Sequence, residues 1–208
     1  AIVVYYVDVT GKLQPMVGAY DAATGTVTFE TTHFSDYVIG YNKVRFADVA
    51  DTDWHSKPVT FIAARGIPTG TEDGNFSPEQ KLTRVNFLVM LMRAYGISPD
   101  TNIQDNFSDA GSADYPGYLA AAKRLGIAGG VGNNMFAPNR EVTRQEMFTL
   151  LYNALKAIGQ LPQGDSGKTP ADFNDAGRIA AWAEEAMTLL VETGTISGNE
   201  GKLSPEDT

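Results

Sequence analysis

The sequence predicts a mainly α protein of helix-loop-helix repeats behind a small N-terminal antiparallel β segment, and three observations carry that expectation. The stretch Gly126 to Glu146, GIAGGVGNNMFAPNREVTRQE, recurs upstream as GIPTGTEDGNFSPEQKLTRVN (Gly66 to Asn86) and downstream as GTISGNEGKLSPEDT (Gly194 to Thr208). A period of about sixty residues marks a chain built from supersecondary units that must stack to bury their apolar faces. The segments flanking these stretches space their apolar residues as a helix does. The first residues of the chain are instead β-branched and aromatic, punctuated by turn residues.

A chain of 208 residues can hold a full core and more than one domain. No apolar run approaches the length of a bilayer span, so membrane insertion is not expected. The chain has no Cys, which excludes disulfides and thiolate chemistry. A formal net charge of -9 without any basic block argues against nucleic acid as a partner. An anionic polymer would have to be caught by local clusters, for which Arg65, Arg84, Lys123, Arg124 and Arg144 are candidates. Ala1 opens straight into IVVYYV, as though a strand continued a larger body, and the chain reads as a fragment.

Residues 1–43 form the β segment, the tail of a β-sandwich-like domain or a small sheet leaning on the first repeat. Ile2 to Val9 is a strand, Thr10-Gly11-Lys12 a turn, and Leu13 to Tyr20 a weaker strand whose Pro15 marks an edge. After the turn Asp21 to Gly25, Thr26 to Thr31 alternates as a half-buried strand should, and Phe34 to Tyr41 completes a four-strand meander. His33-Phe34-Ser35 resembles a tripeptide at which some β-domains cleave themselves, with Ser35 as nucleophile. An edge strand with a surface His accounts for it as well.

Residues 44–98 form the first repeat, with helices from Pro58 to Arg65 and from Arg84 to Tyr95; the latter carries Phe87, Leu91 and Ala94 on one face. Residues 99–160 form the second, with helices near Tyr118 to Leu125 and Arg144 to Ile158, striped by Phe148, Leu151, Tyr152 and Leu155. The connector Gly159 to Asp172 is rich in Pro, Gly and Ser and reads as the most flexible part. Residues 161–208 hold a partial third repeat, with one helix from Ile179 to Thr193 that turns Trp182, Ala186, Leu189 and Leu190 inward. Its Thr-Arg step and second helix are absent.

Each repeated stretch has one grammar. Gly66 and Gly70, Gly126 and Gly130, and Gly194 and Gly198 are spaced four apart, where a helix ends and the backbone must reach positive φ or approach something closely. An apolar residue then stands two before Pro78, Pro138 or Pro205. Thr83 and Thr143 occupy helix N-caps, and Thr143 with Glu146 spells a capping box, for which the first copy has only Asn86. Arg84 and Arg144 oppose the helix macrodipole in the first turn. Such an Arg makes an anion site with spare amides behind it, or a salt bridge in an acidic chain; recurrence favours the anion site.

The starts FADVADTDW (Phe46 to Trp54), FSDAGSADY (Phe107 to Tyr115) and FNDAGRIAAW (Phe173 to Trp182), followed by helix, GxxxG, apolar-x-Pro and Thr-Arg, resemble the S-layer homology repeat of bacterial surface proteins. The resemblance covers residues 46 to 208. It implies lobes around a pseudo-threefold axis whose grooves bind secondary cell-wall polysaccharide, often bearing pyruvate ketals, and so a non-catalytic anchor outside the bacterial cell, in its wall or S-layer. The ligand-binding candidates are then Arg84, Arg144, Gly66, Gly70, Gly126, Gly130, Trp54, Thr83 and Thr143. The alternatives are a self-assembly scaffold, with self-association through the truncated third repeat, and self-cleavage at Phe34-Ser35. Asp48, Asp109 and Asp175 read as turn-closing residues before they read as ligands. Trp54, Tyr115 and Trp182 could stack on sugars, though Trp182 fits core packing better. Two His are too few for a triad or zinc site, no calcium loop is present, and neither cofactor nor catalytic residue is expected.

Overall fold

A computed structural model describes every residue except 32, 69, 72 and 113. The strands are β1 (Ile2–Val7), β2 (Leu13–Pro15), β3 (Gly18–Asp21), β4 (Thr26–Phe29) and β5 (Tyr37–Tyr41). The helices are α1 (Ser56–Ala63), α2 (Arg84–Ala94), α3 (Pro116–Arg124), α4 (Arg144–Ala157) and α5 (Glu184–Glu192). Helix amounts to about 29% of the chain and strand to about 13%, so turns and loops carry most of it and the mainly α expectation is met only in part. The chain falls into two compact units, one of residues Ala1–Gln80 with Met92–Ile97 and one of Lys81–Leu91 with Ser98–Thr208.

In the first unit the meander gives way to two small sheets. One has the order β2-β1-β5 and the other pairs β3 with β4. β5 returns to the free side of β1, in register from Ile2 opposite Tyr41 to Tyr6 opposite Tyr37. The central strand earns its place through Val3 and Val4, both buried. Pro15, which has no N–H to give, sits in exposed edge strand β2. Arg65, a candidate anion catcher by sequence, is committed to the fold. Its Nη2 donates to the carbonyls of Ile2 (3.3 Å) and Gly18 (3.1 Å), its Nη1 donates to Phe61 O (3.0 Å), and the guanidinium lies 3.5 Å from the Phe61 ring centroid.

Three fastenings recur, which is why the sequence repeats. The Asp after each initial Phe accepts two successive amides from the segment around the later Pro: Asp48 from Phe76 and Ser77 (2.8 and 2.6 Å), Asp109 from Phe136 and Ala137 (both 2.8 Å), Asp175 from Leu203 and Ser204 (2.8 and 2.7 Å). We call these segments straps. Each turns through a non-Gly residue at positive φ, namely Ser77 (60°), Ala137 (57°) and Ser204 (49°). The second Gly of each pair has no room for a side chain: a Cβ on Gly130 would stand 2.5 Å from Met135 O and 2.9 Å from the Phe107 ring, and Gly70 meets Phe46 likewise. The first Gly is needed for conformation instead, since Gly66 and Gly126 sit at φ 69° and 71° with nothing near.

In the second unit α3 starts at Pro116, which is preorganised for a first helical turn, and presents buried Leu119 and Ala120 to Ala122. The α5 face is covered: Ala186, Met187, Leu190 and Val191 pack with Tyr152, Phe173 and Leu203 in one buried cluster. Here the expected helix from Ile179 needs correction. Ala180 is extended (ψ 145°) with its amide held by Gln145 Oε1 at 2.9 Å, so a 3-10 turn at Ala181–Ala183 precedes α5. Trp182 is thereby 56% exposed instead of facing inward. The connector expected to be flexible is tied down, since Ser166 donates from its amide to Glu192 O (2.6 Å) and from its hydroxyl to Val191 O (2.7 Å).

Candidate functional site

The Thr-Arg steps start their helices as expected. Thr143 accepts the Glu146 amide and Glu146 returns to the Thr143 amide, a complete capping box, while Thr83 accepts only from Asn86 N at 3.3 Å. The first-turn amides, however, are not spare. Arg84 N and Val85 N donate to Arg140 O (2.9 Å) and Pro138 O (3.1 Å), and Arg144 N and Gln145 N donate to Asp207 O and Pro205 O (both 2.9 Å). Each helix N-terminus is therefore satisfied by the strap of the next repeat.

The arginines follow the same rule. Arg84 Nε donates to Phe136 O (2.9 Å) and Arg144 Nε to Leu203 O (3.0 Å). Arg84 is only 5% exposed, and its Nη1 lies 2.9 Å from Glu146 Oε1, an oxygen that Arg140 also grips. Burial pulls the Arg84 guanidinium below its usual pKa, with Glu146 opposing. Burial pushes Glu146 up, but the Thr143 amide and then Arg84 and Arg140 leave it, on balance, below the usual carboxylate value. Arg144 is half-buried and lies 5.2 Å from the centroid of Phe148 on its own helix.

Beside this triad opens a groove of about 490 Å³. One wall is a stripe along α4, Glu146, Thr149, Leu150 and Asn153; another is the loop Ile127 to Val131, including Gly130; Arg84 and Trp182 complete it. Thr149 donates to Gln145 O (2.7 Å) and Asn153 Nδ2 to Ile127 O (3.1 Å), so the Asn153 side-chain oxygen has no partner among the described residues. The groove thus combines an exposed indole, fixed polar groups and a cation, a set suited to a sugar ring with its hydroxyls and an acidic substituent.

Of the candidates from the sequence, Arg84 and Gly130 line this groove, and Thr83, Gly126, Thr143 and Arg144 lie in segments adjoining its walls. Gly66, Gly70 and Trp54 belong to the first unit, where Trp54 is 89% exposed and meets His55 edge-on at 5.4 Å. Lys123 and Arg124 are paired with Asp105 (2.6 Å) and Asp100 (2.7 Å). Sequence reasoning passed over Thr149, Asn153 and Arg140. The spacing of Glu146, Thr149 and Asn153 at three and four residues was the readable signal, a polar stripe beside an apolar one. In the β segment His33 packs on Tyr6 (5.0 Å), its carbonyl accepts from Tyr37 Oη (2.9 Å), and Phe34 is fully exposed. Among the described residues no cluster of three or more metal-ligating side chains is gathered, and no helix is long and apolar enough to cross a membrane.

Repeats of one helix-loop-helix design, each closed by an Asp-bound strap over a Phe, define a class of repeat module. The S-layer homology domain family matches residues 45–84, 106–148 and 172–208, well over half of the chain, and the chain belongs to that family. Among its relatives are an amylopullulanase of Thermoanaerobacterium thermosulfurigenes (32% identical over 94% of this chain and 10% of that protein) and an exoglucanase XynX of Acetivibrio thermocellus (30%, over 74% and 14%). The S-layer protein sap of Bacillus anthracis is 28% identical over 78% of this chain and 19% of its own length. The chain therefore spans only a tenth to a fifth of these proteins. Domains of this family are non-catalytic, bind cell-wall polymers and anchor surface proteins to the cell wall.

Proposed function

We propose that this chain anchors a larger exported protein by binding secondary cell-wall polysaccharide, pyruvylated in the form it takes best, and that the Arg84–Trp182 groove is a binding site. The observation that carries the reading is the groove itself: an exposed indole faces a polar stripe with buried guanidinium charge at its end. Arg84 supplies that charge, Gly126 and Gly130 shape the loop wall, and Thr83 and Thr143 set the helix starts. Gly66, Gly70 and Trp54 are the corresponding ligand-facing group in the first unit, and Arg144 is the second arginine of a pseudo-threefold set. The bland role, an Arg serving only the fold, predicts that binding survives wherever folding does. The test is sedimentation with purified walls, native or chemically stripped of pyruvate. Trp182→Ala should weaken binding about tenfold or more while melting stays put, since a stacked ring is worth roughly 1–2 kcal/mol; Asn153→Ala should weaken it too, but at some cost in melting, because it also frees the buried Ile127 carbonyl. Unchanged sedimentation of the folded variants would sink the groove assignment, and equal binding to stripped walls would remove the pyruvate.

A further inference from the structure

One edge of the sheet β2-β1-β5 is guarded and the other is not, and we infer that the open edge, β5, pairs with β5 of a second copy of this chain in an antiparallel, twofold-symmetric ladder. The inference stands apart from polysaccharide binding. Where β1 and β5 pair, Val7 N donates to Asp36 O (3.0 Å) at one end and Asn42 N donates to Ala1 O (2.9 Å) at the other. Bonded and non-bonded pairs alternate along an antiparallel ladder, so Val38 and Gly40 also turn their amides and carbonyls toward β1. Tyr37, Ile39 and Tyr41 then aim theirs away from it, and those groups have no partner among the described residues. The opposite edge, β2, is only three residues long and ends in Pro15. β5, YVIGY, holds neither Pro nor charge, and its Val38, Ile39 and Tyr41 are 45%, 62% and 72% exposed. Such an edge is a template for another strand.

The strand that fits this edge is its own copy. At the outward-bonding positions the sequence is palindromic, Tyr37-x-Ile39-x-Tyr41. With a twofold axis at Ile39, that residue faces itself and Tyr37 faces Tyr41 of the second copy, so each pair can exchange both of its hydrogen bonds. The side chains of these positions become cross-strand neighbours on one face of the joined sheet. On the other face Val38 stands opposite Gly40, which has no side chain to collide with it. An axis at Val38 or Gly40 would instead pair Tyr41 or Tyr37 with residues outside the strand, so the register is set. At the ends Asp36 meets Asn42, and no like charges are opposed, as two copies of a chain with net charge -9 require.

The test is sedimentation velocity of the 208-residue chain over a range of concentrations, with amide hydrogen exchange followed by NMR. A concentration-dependent dimer is expected, in which the amides of Tyr37, Ile39 and Tyr41 gain protection while those of Val38 and Gly40, already bonded to β1, change little. Ile39→Lys and Ile39→Glu each set like charges against one another at the axis and should weaken the dimer about tenfold or more, and an equimolar mixture of the two should restore it. Ile39 is exposed in the single chain, so both variants should melt as the parent does. A chain that is monomeric at every concentration overturns the inference and leaves the edge to some other strand. So does a dimer whose protection falls elsewhere, one that both Ile39 variants keep, or one that the mixture fails to restore.

Discussion

Glu146 is the residue on which most depends, for its carboxylate answers Arg84, Arg140 and the Thr143 amide together. Glu146→Gln leaves a buried guanidinium without its counter-charge and should cost on the order of 3 kcal/mol in denaturant unfolding, as breaking buried pairs does. The same carboxylate gives a pH dependence with a definite sign. Its folded pKa lies below the unfolded value, so its contribution is whole above the ordinary carboxylate range and fades as pH falls through the folded value. An acid titration of melting temperature should lose part of its slope in Glu146→Gln; parallel curves would mean that the triad contributes nothing in solution. Gly130→Ala meets Met135 O and the Phe107 ring at positive φ, and should destabilise by roughly 1–3 kcal/mol.

At the scale of elements, the strap and its Asp form one piece. Asp109→Ala frees two amides and should cost about 1–3 kcal/mol, whereas Asp109→Asn, which keeps one acceptor, should cost less. If the two variants melt together, the amides find water and the fastening is idle. Such elements were legible because repetition amplifies weak signals: the Gly pairs and the turn-closing Asp residues read true at three equivalent places, and the Thr143 box at the one place where its Glu is present. What was not legible depended on partners distant in sequence. Gln145 holding Ala180 decides where α5 begins and hence that Trp182 stays open, and no local pattern announces it. The strand order β2-β1-β5 likewise rests on β5 passing a second hairpin to rejoin β1. The packing of the arginines was hidden for a related reason: a charge in a first turn looks free until the next repeat's carbonyls are placed on its Nε.

Over the whole molecule, the chain's two Trp fall one in each compact unit, Trp54 in the first and Trp182 in the second. Single Trp→Phe variants therefore report each unit separately. Leu190→Ala in the covered α5 face should lower the midpoint seen by Trp182 by an amount equivalent to about 2–5 kcal/mol; a smaller loss would mean that α5 repacks around the cavity. The exchange of straps between neighbouring repeats also bears on how the second unit folds. Arg84 meets Phe136 across 52 residues and Arg144 meets Leu203 across 59, so helix starts remain incomplete until chain far downstream has arrived. A solenoid can zip from any repeat outward because each touches only what it stacks on through local chain. Here two long loops must close first, at an entropic cost that grows with their length, and refolding should run slower than that of a helical protein with short-range contacts.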